Sequence, residues 1–374
     1  MSSLPPPVPV APTAAVLCPQ CGAEVSPSEQ FCEACGAALT PSASPEPTDA
    51  NELPITLSHP VRAAGRNTGR NTDNEPTLSM RRPCLSCGGV VGADGYCETC
   101  GTKAPSQRDH YVEQPASWVA ACCDRGIRHH RNEDATAIAA DAAAGSRAVL
   151  IVCDGVSTSE DSDVASLAAA RAARDLLVAS QPNGLGLPES RAAAIAGAFE
   201  RAVDAANDAV ITNTRPDSKN AAAATFAGAV LDGNLCVYAN LGDSRAYWIP
   251  DPGGAEPVLL SLDDSVAQLR IDSGVSREEA ERGPQAHAIT KWLGRDAPDH
   301  TPRTGSVTLA GPGWLLVCSD GLWNYASEPG HLQDLIARLS GTVGTGPLPL
   351  AEAMVRWSNE QGGKDNISVA LARC

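Results

Sequence analysis

Lysine, aromatic side chains and long apolar runs are all scarce in this chain, and each scarcity excludes something. Lysine occurs only at 103, 219, 291 and 364, and the 44 acidic residues outweigh the 28 Lys and Arg, for a formal net charge of -16. The resulting negative field repels phosphate backbones and anionic membrane surfaces, so neither nucleic acid nor a membrane is expected as a partner. No segment approaches the ~20 consecutive apolar residues that a membrane helix requires. The N-terminal MSSLPPPVPVAP has no basic start and no apolar stretch of a secretory signal, and the expected location is cytoplasmic. Aromatics make up 4% of residues although 43% are hydrophobic, so the core must be built mainly from Ala, Val and Leu, as on helix faces packed against sheets.

What is present divides the chain. Residues 1–16 are rich in Pro and Ala and read as a flexible start, and 40–82 are rich in Pro, Ser, Thr, Asn and Arg without apolar periodicity and read as a disordered linker. Between and after them lie two similar units, at 17–39 and 83–104, followed by a short linker over 105–115 and a folded domain over 116–374. Eight of the 14 cysteines fall in the two units as CxxC pairs: Cys18, Cys21, Cys32 and Cys35, then Cys84, Cys87, Cys97 and Cys100. Four thiolates complete a tetrahedron and leave no open position, so two structural Zn2+ ions are expected, in sites whose folding energy comes from the metal. A glycine follows each second pair, at Gly36 and Gly101, and lets backbone N–H groups approach the sulfurs. The units resemble zinc ribbons, and protein contacts are expected through them.

From 116 onward, strand-like and helix-like segments alternate with short turns. SWVAACCDRG and RAVLIVCDG read as strands, DVASLAAARAARDLLVAS and ESRAAAIAGAFERAVDAANDAVITNT as helices. FAGAVLDGNLCVYANLGDSRAYWI reads as two strands turning at Asp232-Gly233-Asn234, then a third. Short helical stretches around 263–283, strands near 304–310 and 314–318, helices near 331–339 and 350–360, and a final strand ISVALAR complete the pattern. Strands cluster and helices arrive in pairs, which argues for an α+β class with two antiparallel sheets flanked by helix pairs, preceded by the two small ribbons.

Five segments of this domain put a carboxylate where a strand gives way to a turn: RNED at 131–134, VCDG at 152–155, LGDSR at 241–245, CSDG at 318–321 and KDN at 364–366. A single Asp-Gly is usually no more than a turn. Several converging carboxylates would repel one another unless cations filled the gap, and hard oxygen ligands favour Mg2+ or Mn2+.

RNEDA, DGV, ATFAGAVLDGNLCVYANLGDSRAYWI, DDSVAQ, ITKWLG, CSDGL and GGKDNISV, in this order and spacing, resemble the bacterial type 2C (PPM) metal-dependent protein phosphatases over about 116–374. The resemblance implies an α-β-β-α sandwich with two metal ions, which activate a water to hydrolyse phosphoserine or phosphothreonine in proteins, opposing a serine/threonine kinase. It implies that Asp154 bridges both ions with the Gly155 carbonyl on one, that Asp320 and Asp365 hold the other, and that Glu133 acts on the metal-bound waters with Asp134 beside it. Asp243 would help hold a weaker third ion. Arg245 reads as a structural salt-bridge partner.

Two positions depart from that pattern. The family commonly has an arginine four residues before the Glu to clamp phosphate; here it is His129, with Arg131 as a neighbouring phosphate contact. A protonated His129 could still donate to phosphate, or could be an exposed turn residue. After Asp154-Gly155 the family continues with Gly-Gly-His, whereas this chain reads Val156 to Asp161 with no such glycines and no histidine. A weakly catalytic phosphatase fold that senses phosphorylated partners is the alternative reading.

Overall fold

A computed structural model describes residues 16–17, 24–25, 87–92, 95–102, 104, 106–180, 186–283 and 285–374. The chain forms two compact units, Met1–Met80 and Arg81–Cys374. In the first, β1 (Val16–Leu17) pairs antiparallel with β2 (Glu24–Val25). The cysteines at 18, 21, 32, 35 and 84 lie outside the described residues, as does the linker over 40–82.

The second unit begins with β3 (His110–Ala116), β4 (Val119–Asp124), β5 (Ala135–Ala140) and β6 (Arg147–Cys153), then α1 (Ser162–Ala179) and α2 (Pro188–Thr212). It continues through β7 (Ala223–Ala224), β8 (Phe226–Asp232), β9 (Leu235–Leu241), β10 (Arg245–Pro250), β11 (Val258–Leu259), α3 (Val266–Asp272) and α4 (Arg277–Glu281). After β12 (Leu293–Gly294), β13 (Arg303–Thr308) and β14 (Gly313–Cys318) come α5 (Asp320–Trp323), α6 (Pro329–Val343), α7 (Pro347–Glu360) and β15 (Ile367–Arg373).

Two antiparallel sheets carry the domain, in the orders β11-β10-β14-β15-β4-β3 and β13-β9-β8-β6-β5. Strand periodicity explains why they stack. Along β6, Val149, Ile151 and Cys153 join a cluster with α1 and α2, while Ala148, Leu150 and Val152 face a second cluster shared with the other sheet. In β14, Trp314, Leu316 and Cys318 meet α6 and α7, while Leu315 and Val317 turn inward between the sheets. Strands apolar on both faces therefore sit in the two middle layers, and the Ala-rich faces of α1 and α2 approach closely from outside. The result is the α-β-β-α sandwich expected from the sequence. The hairpin of β8 and β9 turns at Gly233, whose φ of 64° the tight turn requires.

The 105–115 segment corrects the sequence reading, which expected a linker. β3 falls largely within it and pairs with β4 as the edge of the first sheet. HYVEQPA has little apolar alternation because none of its residues is buried at this edge position, and its register shifts between Glu113 and Ala116, around Pro115.

Candidate metal centre

Loops at one end of both sheets converge. Asp154 follows β6 directly; its N–H donates to Thr225 Oγ1 at 3.1 Å, and its carbonyl accepts from the Thr225 N–H at 2.7 Å. Thr225 Oγ1 meets Ser244 Oγ at 2.7 Å, which ties the Gly242-Asp243-Ser244 turn to the same strand end. Gly242 has φ of 96° and lies so close to Thr225 that a Cβ would stand 2.8 Å from that side chain. Asp320 opens α5 just after β14, where a Cβ on Gly321 would fall 1.9 Å from the Asn366 carbonyl. The glycine after this aspartate is thus needed for the close passage of the α7–β15 loop that carries Asp365.

Glu133 and Asp134 arrive on the β4–β5 connection. Ser319 Oγ donates to Asp134 Oδ2 at 2.6 Å and itself accepts from the Ser368 N–H at 2.9 Å. Asn366 locks this connection down: its Oδ1 accepts from the Glu133 N–H at 2.7 Å, and its Nδ2 donates to the Arg125 and Arg131 carbonyls at 2.7 and 3.1 Å. In KDN the sequence marks the aspartate as a site residue but leaves the asparagine's role invisible.

Arg131 and His129 both face the buried Glu133. Arg131 Nε and Nη2 donate to Glu133 Oε1 at 3.0 and 2.7 Å, and Nη2 reaches the Ser159 carbonyl and Ser162 Oγ as well. Ser162 Oγ donates to the same carboxylate oxygen at 2.7 Å. The loop that replaces the expected Gly-Gly-His therefore supplies a carbonyl that holds Arg131, and the first residue of α1 supplies a hydroxyl that holds both Arg131 and Glu133. His129 bridges the two acids, with Nδ1 3.6 Å from Glu133 Oε2 and Nε2 3.2 Å from Asp365 Oδ1. Its hydrogen bond to Glu133 pushes its pKa up against the effect of burial, with help from the charges of Asp365, Glu133 and Asp134. Burial works against ionisation of Glu133, yet hydrogen bonds from His129, Ser162 and Arg131 hold its pKa down at about 2.

The other acids behave oppositely. Burial raises the pKa of Asp154, and the charges of Asp134, Asp320, Asp365 and Asp243 raise it further. Asp320 is pushed up in the same way, first by burial and then by Asp365, Asp243 and Asp134. Asp134 Oδ1 and Asp320 Oδ1 are buried with no hydrogen-bond donor. Buried acceptors without donors are costly, and a cluster of them with mutual repulsion is the donor set that hard divalent cations satisfy. The residues present fit such ions.

A pH dependence of stability follows for the metal-free protein. Burial above all, helped by the charge of Asp365 at Asp134 and of Asp263 at Asp243 and opposed by the Ser319 hydrogen bond and the Arg245 charge respectively, puts both at about 7. Below about pH 4 folded and unfolded chains are both protonated at these positions, so there is no penalty. As pH rises from there toward 7 the unfolded chain releases its protons first, and the folded state loses stability. Glu133 works the other way, but only below about pH 4.5. The melting temperature of chelator-treated protein is expected to fall between about pH 5 and pH 7.5, and Mn2+ to reverse most of the fall; a flat or rising metal-free profile would contradict this.

The described cysteines of the second four-cysteine unit also converge. Cys87, Cys97 and Cys100 bring their sulfurs within 4.8 Å of one another. The Gly89 and Thr99 N–H groups each donate to a cysteine sulfur at 3.4 Å, in the manner expected around a zinc-bound thiolate. Hydrogen bonding to Thr102, above all, lowers the Cys100 pKa to about 6.

A four-layer sandwich whose loops close, at one end of both sheets, on a knot of buried, donor-starved carboxylates offers the ligand set that hard divalent cations satisfy. A family model described as protein phosphatase 2C matches residues 125–357, and the chain belongs to that family. A zinc-ribbon domain model matches residues 17–39. Protein phosphatase PhpP of Streptococcus pneumoniae is 37% identical over 147 residues, which cover 38% of this chain and 54% of that protein. The chain thus spans about half the length of this pneumococcal relative. The serine/threonine phosphatase stp of Listeria monocytogenes is 26% identical over 252 residues, 66% of this chain and 92% of the relative. Among solved structures, the Streptococcus agalactiae serine/threonine phosphatase superposes with a TM-score of 0.56 at 23% identity, covering 70% of this chain and 98% of that one, which establishes the shared fold. No helix among the described residues is long and apolar enough to cross a membrane.

Proposed function

We propose that the chain is a divalent-cation-dependent protein phosphatase that hydrolyses phosphoserine and phosphothreonine. The observation that carries this reading is the pair of buried carboxylate oxygens without donors, Asp134 Oδ1 and Asp320 Oδ1, inside a cluster of acids whose charges raise one another's pKa. Membership of the phosphatase 2C family supports it, as do the names of the pneumococcal and listerial relatives.

Asp154, the Gly155 carbonyl, Asp320, Asp365, Glu133 and Asp134 would hold two Mn2+ or Mg2+ ions, and Asp243 would contribute to a third. When bound, such ions activate a water for in-line attack on phosphorus and draw charge from the phosphoryl oxygens. The chain's own residues supply orientation and charge. Thr225 fixes the backbone of Asp154 at both its N–H and its carbonyl. Glu133, kept ionised by Arg131, Ser162 and His129, is a hydrogen-bond acceptor that would orient a water held beside it. His129 lies against Asp365 and, when protonated, is available to donate to a substrate phosphate; Arg131 adds positive charge while anchored on Glu133.

The substrates would be phosphorylated proteins, and the activity would oppose a serine/threonine kinase in the cytoplasm. The two four-cysteine units would each hold a structural Zn2+ and serve protein contacts. Incubating the full chain with Mn2+ and matched phosphoserine, phosphothreonine and phosphotyrosine peptides tests the specificity. Release from the first two at a rate at least ~10-fold above the third is expected. Well-folded, metal-loaded protein that releases phosphate from none of them would favour the sensor reading instead.

A further inference from the structure

His287 was given no role from the sequence, yet it reaches the carboxylate cluster. It lies between α4 and β12, and one of its ring nitrogens falls within 4.8 Å of carboxylate oxygens of both Asp243 and Asp320, which are likewise within that distance of each other. The residues around it are anchored. The Val266 N–H donates to the Ala288 carbonyl at 2.9 Å, the Ala267 N–H to the Ala286 carbonyl at 3.2 Å, and Ala286 packs with Ala267 and Ala280 in a small buried cluster. The imidazole also rests 5.8 Å from the Trp323 ring, centroid to centroid, and Trp323 Nε1 holds the Asp243 carbonyl at 2.9 Å.

The second observation concerns Asp320. Its side chain is more than nine-tenths buried, Oδ2 accepts from Asn324 Nδ2 at 3.0 Å, and Oδ1 has no donor. A neutral imidazole nitrogen and two carboxylates within one ligand sphere form a mixed nitrogen and oxygen donor set.

We propose that the third ion already assigned to Asp243 is shared with Asp320 and takes His287 as a direct ligand, so that the bound ion clips the segment carrying His287 onto the β9–β10 turn and the start of α5. The inference rests on the reading of the carboxylates as a cation centre, not on the phosphatase activity. An imidazole ligand favours Mn2+ over Mg2+, because nitrogen donors suit the later, softer ion while carboxylates and water serve both. The exposed side of His287 leaves the remaining coordination positions to water.

Pulsed electron paramagnetic resonance of the Mn2+-loaded full chain, with Zn2+ in its cysteine sites, tests the proposal directly. Wild type is expected to show 14N modulation from a directly bound imidazole. His129→Ala, which removes the other histidine beside the carboxylates, is expected to keep it, and His287→Ala to lose it together with one bound Mn2+ per chain. Mg2+ is expected to displace that ion less readily from wild type than Mn2+ displaces itself, by about 10-fold or more. Bound Mn2+ without nitrogen coupling in wild type, or coupling that survives His287→Ala, overturns the histidine ligand and leaves the carboxylate centre standing. Failure of wild type to bind Mn2+ at all overturns both.

Discussion

Asp154→Asn is expected to lower Mn2+-dependent phosphate release from a phosphothreonine peptide by about 10^3-fold, the equivalent of about 4 kcal/mol of transition-state stabilisation. Asp154 stands at the end of a central strand, and the charges of four other carboxylates act on its own. Replacing it removes a negative ligand from the middle of the site, where no neighbour can take its place. The fold should not suffer, because the same change removes one of the repelling charges. Thermal unfolding of the chelator-treated variant is therefore expected at or above the wild-type temperature. Loss of activity together with a lower metal-free melting temperature would point to damaged packing rather than a missing ligand. Activity within ~10-fold of wild type would contradict the role given to this residue.

Arg245→Met is expected to destabilise the domain by about 3–5 kcal/mol. The guanidinium is 1% exposed, lies 3.6 Å over the Trp323 ring, and donates to Asp263 Oδ2 and Glu281 Oε1 at 2.7 Å each and to Ser327 Oγ at 2.9 Å. Methionine keeps much of the stem's packing but strands Asp263 as a buried, unpaired charge. The consequence should be a fall in melting temperature of about 10 °C in metal-loaded protein. The double variant Arg245→Met, Asp263→Leu should recover much of the loss, because the stranded carboxylate is then gone. A single variant within ~1 kcal/mol of wild type by urea unfolding would show that the network is less important than its burial implies.

The sandwich was legible in the sequence where strands are apolar on both faces. RAVLIVC, GWLLVC and ISVALAR lie in middle layers, covered by helices on one side and by the opposite sheet on the other, so the physics that hides them also writes them as unbroken apolar runs. β3 left no such trace, because none of its residues is buried and its edge position demands no apolar face. Asp154, Asp243 and Asp320 were legible because each stands within two residues of a strand's end with a glycine or serine beside it, whereas Glu133, Asp134 and Asp365 lie just before a strand and were marked by the family motifs alone.

The supporting residues were not legible for a different reason. Asn366, Ser319, Ser162 and Thr225 act through hydrogen bonds to groups far away in sequence, as in the bond from the Glu133 N–H to Asn366 Oδ1, and no local pattern marks a polar residue for that task. Arg131 was expected on substrate phosphate; the fold turns it onto Glu133, two residues along the chain, which alternation along an extended segment makes possible. His287 sits in a polar segment without periodicity, and only the folding of 265–289 over the β9–β10 turn brings it to the acids.

The central claim is that buried carboxylates collect divalent cations for phosphate ester hydrolysis. Its most direct test is phosphate release from a phosphothreonine peptide by full-length protein stripped with a chelator and then titrated with Mn2+, beside Asp320→Asn. The account predicts no release from stripped protein, saturable recovery with Mn2+, and little recovery in the variant. Release that survives chelation, or an Asp320→Asn variant that recovers like wild type, would contradict it.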